Sequence, residues 1–457
     1  MLSFHKPKEQ KQAKLDLPSA SKSGSLLMTD EERPDLAHSI YPYGIIVVVA
    51  VMLCYGLLML FSASMNQAWY ENDNSLYFLG RQVVFSIMGI LAAYFVSRFS
   101  LGRLKRRQFC LLAYAFVLLL LILVLTPVGI RNYGHARWLP LLPKVTFQPT
   151  EIAKIVLVYV GAYYYSQLPR LRQTRTYRGY SPSGQLLRPL FFDFGLPLAA
   201  LGLWILLIAR QSHLSAALLL CLLFLAILSV AKIPKRSWIL MLMIAAVLVL
   251  ILLLIWIFFG EAIKAHANGQ GALGKAISRI AIFIDGDSVS RDDRYQSDQA
   301  LIAIGSGGFW GRGLGSSIQK NNYLPEAHND YIFSVICEEF GFIGAFFVLL
   351  LFASFCFLGF QIARRVEGIY YRMLAVGYTS LITLQALLSM AVNLKIFIPT
   401  GISLPFFSYG GSSNIFFLVS VGLLLNVVRH GQSETQGKKA SKAKQVHHAQ
   451  TGKAERT

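Results

Sequence analysis

Residues 304–347 read IGSGGFWGRGLGSSIQKNNYLPEAHNDYIFSVICEEFGFIGAFF. The glycine-rich first half is not expected to hold regular structure. It passes through Gln319, Lys320, Glu326, His328 and Asp330 into an apolar run that begins at Tyr331. Polar chemistry therefore meets hydrocarbon at one point of the chain. A carboxylate placed there sits in a falling dielectric, where its pKa rises and it can serve as a general base.

Similar apolar runs fill most of the sequence. The 457 residues are 55% hydrophobic and 14% charged, with a mean hydropathy of +0.51. The runs have the roughly 20-residue length of a membrane-spanning helix, not the short alternation of a membrane barrel. The expected fold class is an all-α integral membrane protein, which excludes an ordinary soluble enzyme. Spans are expected at 41–62, 77–97, 109–128, 150–167, 192–208, 214–231, 237–259, 331–361 and 373–393, with a tenth ending near 428.

The formal charge is +20, and the basic residues flank the runs. Arg98, Arg103, Lys105, Arg106 and Arg107 follow the second run, whereas 65–75 holds no Lys or Arg. By the positive-inside rule ten transmembrane helices then have both termini cytoplasmic. One large extracytoplasmic loop, about 260–329, joins helices 7 and 8, and its length implies function. The membrane domain is 41–428, between basic tails at 1–40 and 429–457 that are too polar to pack. The first tail lacks a signal-peptide core, so the first span is expected to act as an uncleaved anchor. The basic charge reads as topology and anionic membrane lipid, with no nucleic acid partner. The five cysteines lie in apolar runs without metal-like spacing, and no disulfide is expected.

Four polar segments fall on the outer face: 131–154, the Arg210–His213 corner, the long loop ending at Asp330, and the turn 393–413 with Lys395. Together they imply an outward cavity with basic walls, suited to an anionic lipid head group. Each residue has a plainer reading. Asp330 can cap the following helix. Arg137 can bind a diphosphate through its planar fork or only snorkel, and Lys154 can do so as a point charge or only pair with Glu151. Glu326 and His328 can be solvated loop residues. Glu338 and Glu339, two turns into a span, call for a buried ionic network.

The wording RGLGSSIQKNNYLPEAHNDYIFSVICEEFGFIG, together with PTGISLPFFSYGGSS and GHARWL…FQPTEIAK, resembles the signatures of the SEDS (shape, elongation, division and sporulation) proteins. The likeness covers about 41–428 and is closest to the division-type branch. It implies a ten-span peptidoglycan glycosyltransferase of the bacterial cell (inner) membrane, at the division septum. Such an enzyme polymerises lipid II, releases undecaprenyl diphosphate, and works with a class B penicillin-binding protein (a transpeptidase) and other division proteins. The motif aspartate falls on Asp330, the loop arginine on Arg137 and the span-four lysine on Lys154. This chain departs from the family at Gln211–Ser215, where Gln-Ser-His-Leu-Ser replaces the usual Gln-Pro-Asp-Leu-Gly.

The implied chemistry is attack by the 4-hydroxyl of a lipid II acceptor on the anomeric carbon of a lipid-linked donor. Asp330 is the expected base. Arg137, Lys154 and Glu151 are expected around the diphosphate, with a divalent cation (Mg or Mn) as a possible cofactor, and Gln319, Lys320, Glu326 and His328 around the acceptor. A lipid II transporter and a scaffold that recruits the transpeptidase are the alternatives; in the scaffold Asp330 only caps a helix.

Overall fold

The computed structural model describes residues 40–132, 135–142, 145–173, 188–211, 213–247, 291–321, 323–397 and 401–430. The expected tails at 1–39 and 431–457, the end of the seventh run and the loop segment 260–290 lie outside the described residues.

Helices α1 (Ile40–Asn72), α2 (Tyr77–Arg98), the single turn α3 (Leu101–Leu104) and α4 (Arg107–Val124) come first. Next is an antiparallel sheet of β1 (Ile130–Asn132), β2 (His135–Leu142) and β3 (Val145–Phe147), with β2 in the middle. Then follow α5 (Pro149–Leu171), α6 (Arg188–Arg210, π-helical over Phe191–Gly195) and α7 (Leu214–Val230). After them come α8 (235–247), α9 (Arg291–Gly307), α10 (Ile332–Arg365), α11 (Ile369–Asn393) and α12 (Gly411–His430).

Among the described residues seven helices, α1, α2, α4, α6, α10, α11 and α12, are long and apolar enough to cross a bilayer. Helix α7 is apolar but shorter, α5 carries Glu151 and Lys154 in its first two turns, and α8 ends at the edge of the described residues. The chain is thus a polytopic helical membrane protein, but it is not all-α as expected. Pro140, Pro143 and Pro149 forbid a continuous helix across 129–154, and Trp138, Val145, Thr146 and Phe147 suit strands. Part of the expected outer loop is helix α9.

Helix α1 runs ten residues past its expected end because 62–72 holds no Pro or Gly. Helix α10 is long for a different reason: it breaks at Gly341, with φ 64° and ψ −156°. A Cβ there would lie 2.4 Å from the Gly311 nitrogen, so the glycine permits both the conformation and the close approach. The break releases backbone carbonyls, and the preceding loop takes them. Arg312 N–H donates to Glu338 O at 3.0 Å and Gly313 N–H to Glu339 O at 2.9 Å, while Phe342 N–H donates back to Gly308 O at 2.9 Å.

The side chains at the break form the ionic network that burial demands. The Glu339 carboxylate accepts from Lys320 Nζ at 2.7 Å and from Ser62 Oγ of α1 at 2.6 Å. The Glu338 carboxylate accepts from Ser317 Oγ at 2.5 Å and Ile318 N–H at 2.9 Å, with Arg312 3.9 Å away. Both carboxylates are fully buried, so each depends on these donors. Lys320→Met should therefore lower stability by about 3–5 kcal/mol, while adding Glu339→Met should recover most of the loss. Thermal unfolding in detergent checks this, and an unshifted melting temperature in the single variant would contradict it.

Candidate functional site

Asp330 stands just before α10 but does not cap it. The cap position is Tyr331, with no side-chain hydrogen bond to the helix start. Asn393, at the end of α11, does that work. Its Oδ1 accepts from Ser334 N–H at 3.1 Å and Ser334 Oγ at 2.9 Å. Its Nδ2 donates to Asp330 O at 2.8 Å and Ser389 O at 2.9 Å. The backbone of Asp330 is held while its carboxylate is left for other use.

That carboxylate lines an open cavity of ≈ 760 Å³, shared with Arg137, Glu151, Lys154 and Glu326. The backbone of Gly401 forms a wall beside it, because a Cβ at 401 would lie 2.8 Å from Asp330 Oδ2. Glu326 holds φ 55°, and its carbonyl accepts from Asn329 N–H at 3.0 Å and Asp330 N–H at 3.1 Å, closing the turn that carries Asp330. Burial, and then the Glu326 charge, push the Asp330 carboxyl up to about 7, against a pull downward from Arg137. A group that titrates near neutrality and faces a polar cavity suits proton transfer.

Arg137 and Trp138 reach the cavity from β2, which is anchored by Leu139 packing on Leu120 and Val124 of α4. Arg137 Nε donates to Gln211 O at 3.4 Å, just ahead of α7. Lys154 is buried and committed: Nζ is 2.7 Å from Glu151 Oε2, 2.7 Å from Gln385 Oε1 and 5.5 Å from the Phe417 ring. The residues capping α5 and α7 meet at the cavity, where Gln148 Nε2 lies 3.2 Å from His213 Nδ1. Two helix starts thus add positive dipole ends to the basic side chains.

Gln319, Lys320 and His328 are not among the residues lining the cavity, contrary to the expected acceptor site. Lys320 is drawn into the Glu339 network by the cost of burying that acid alone. The Gln319 backbone N–H donates to Glu338 at 3.3 Å. His328 packs between Phe78 and Tyr409, with ring centroids at 4.7 and 5.9 Å, and burial lowers its pKa despite the Glu326 and Glu71 charges. Lys395 pairs with Asp298 of α9 at 2.7 Å. Missing from the sequence reading were Arg81, Gln148, Gln385 and Gly401, which line the cavity. Gln148 carried a signal as the residue before the Pro that opens α5, and Arg81 carried one as a charge inside the expected span 77–97. Among the described residues no three His, Cys, Asp or Glu side chains converge to hold a metal ion.

Fold and site together define a polytopic helical membrane protein that exposes a carboxylate to a basic, polar cavity beside its membrane body. Comparison with known proteins narrows this class. The family model of the cell cycle proteins FtsW, RodA and SpoVE matches residues 43–433. The chain is 33% identical to the probable peptidoglycan glycosyltransferase FtsW of Thioalkalivibrio sulfidiphilus, over 84% of this chain and 89% of that one. It is 30% identical to stage V sporulation protein E of Bacillus subtilis, over 89% of this chain and 100% of that one. Among solved structures it matches a peptidoglycan synthase complex, described for its coordination of polymerization and crosslinking (TM-score 0.61, 25% identity, 85% and 97% coverage). It also matches the rod shape determining protein RodA of Thermus thermophilus (TM-score 0.55, 25% identity, 85% and 96% coverage). The chain belongs to the FtsW/RodA/SpoVE family, the SEDS proteins, and is FtsW-like within it.

The raised pKa of Asp330 has a consequence for stability. The folded state binds this proton more tightly than the unfolded state, so between about pH 4 and 7 the residue's contribution falls as pH rises. Asp330→Asn, which stays neutral, should abolish that fall and melt no lower than wild type at pH 8. Melting curves of both from pH 5 to 8 test this; an Asn variant that loses stability progressively above pH 6 would contradict it.

Proposed function

We infer that the protein is a peptidoglycan glycosyltransferase that polymerises lipid II into β-1,4 glycan strands for septal wall synthesis. The observation that carries the reading is the Asp330 carboxyl, held near neutral pKa in a cavity shared with Arg137 and Lys154. The names of its FtsW relatives and its match to a peptidoglycan synthase support it. In this reading the chain crosses the membrane ten times, both termini are cytoplasmic and the cavity opens outward, where the sugars of lipid II lie.

The Asp330 carboxylate takes the proton from the 4-hydroxyl of the acceptor GlcNAc. That oxygen forms a bond to the anomeric carbon of the donor, and the bond from this carbon to the phosphate oxygen breaks with inversion. Undecaprenyl diphosphate leaves as an anion, and Arg137 balances its charge at the point where it develops. Lys154 balances it from farther back while fixing α5 to α11 through Gln385. A sugar hydroxyl is a poor nucleophile at neutral pH, so a placed base is worth about 10²–10⁴-fold. A class B penicillin-binding protein crosslinks the product and accompanies the enzyme at the septum. Any divalent cation in the cavity would take most of its oxygens from the diphosphate.

The test is polymerisation of purified lipid II by the protein bound to its transpeptidase, with the transpeptidase active site blocked. Wild type should yield glycan strands, and a normally folded Asp330→Asn should be slower by at least about 100-fold. Equal strands from both would remove Asp330 from the chemistry, and none from either, with the complex intact, would leave the transporter or scaffold reading.

A further inference from the structure

We propose that the cavity holds a second anion subsite, at the start of α12, built from that helix's first turn, the Ser412 hydroxyl and Arg81, and that it takes the diphosphate of a second lipid-linked substrate. This rests on the polymerase reading. Two lipid diphosphates must meet for one glycosidic bond to form, and only one of them leaves; the other stays on the acceptor and needs its own countercharge.

Helix α12 spans Gly411–His430, and Gly410, Gly411, Ser412 and Ser413 all line the cavity. The Ser413 N–H is already taken by Gly410 O; the other first-turn N–H groups of a helix of this length have no acceptor inside the helix, and its dipole favours an anion there. A second, independent observation points to a ligand. Ser412 is 8% exposed, and its hydroxyl has no hydrogen-bond partner among the described residues. Buried hydroxyls without partners are uncommon because desolvation goes uncompensated, and a phosphate oxygen would accept this one.

Arg81 lies on the same wall. The neighbouring residues of α2 are fastened to the α12 start: Gln82 Nε2 donates to Ser408 O at 3.2 Å, and a Cβ on Gly411 would stand 3.3 Å from the Phe85 ring. Arg81 donates to Tyr77 Oη at 3.0 Å, an arrangement that keeps its guanidinium at the cavity. Its charge acts on Tyr409, the residue two before α12, whereas that of Arg137 acts on Asp330. The two arginines thus serve different walls. Arg137, beside the base, takes the leaving diphosphate, and Arg81 with Ser412 takes the one that stays.

The experiment measures how many molecules of farnesyl diphosphate, a short lipid diphosphate, bind to the full-length protein in complex with its transpeptidase, by equilibrium dialysis. Wild type should bind two per chain. Ser412→Asp and Arg81→Gln should each lose one, and Arg137→Gln should lose the other. Ser412→Ala, which removes only the hydroxyl, should weaken one site about tenfold without lowering the melting temperature. Inorganic pyrophosphate, the same anion without the chain, should compete at both; failure to compete would show that the diphosphate is not what is recognised. A single site in wild type, lost with Arg137→Gln and indifferent to Ser412→Asp and Ser412→Ala, would overturn the second subsite and leave the polymerase reading standing. No binding by wild type would overturn both.

Discussion

A helix broken inside a membrane must find partners for the carbonyls it releases, since no water is there to take them. In this protein the break at Gly341 is answered by the loop that precedes α10. Arg312 and Gly313 donate backbone N–H groups to Glu338 and Glu339, and Ser317 and Lys320 neutralise or bond their carboxylates. Because these contacts fix both backbone and side chains, the loop has one way to lie. Its continuation reaches the start of α10 with Asp330 placed, and Asn393 then supplies the helix cap that Asp330 would otherwise make.

This division of labour gives the cavity its chemistry. An acid engaged in capping would be held ionised and would be a weak base. Relieved of that duty, and set beside Glu326 in a partly desolvated wall, Asp330 titrates near neutrality. Cations and helix starts stand around it on β2, α2, α5, α7 and α12, each fixed by its own contacts. Such donors need little rearrangement when an anion develops between them, the condition under which electrostatic stabilisation is largest.

Much of this was legible in the chain. Apolar runs located the helices, and the abrupt passage from glycine-rich loop to hydrocarbon marked Asp330. The cost of an unpaired charge in a span correctly required a network around Glu338 and Glu339. The spacing of Glu151 and Lys154 revealed their pairing, but not Gln385, which comes from 231 residues away. Lys320 looked like a substrate ligand because nothing local shows that Ser62 and Glu339 close on it. Asn393 and Gly401 were invisible for the same reason: their roles depend on where α11 and the turn after it come to rest. The strands were missed because β1 and β3 are only three residues each, too few to show a period, and because Pro140 interrupts the alternation of β2.

The central claim is that a cavity-facing Asp330 takes the acceptor's proton. The most direct measurement is the pH dependence of the initial rate of lipid II polymerisation by the protein with its transpeptidase, from pH 5 to 8.5. The account predicts a rate that climbs as one group deprotonates, half-maximal near pH 7. A rate flat across this range, or half-maximal near the ordinary carboxylate value of about 4, would contradict it.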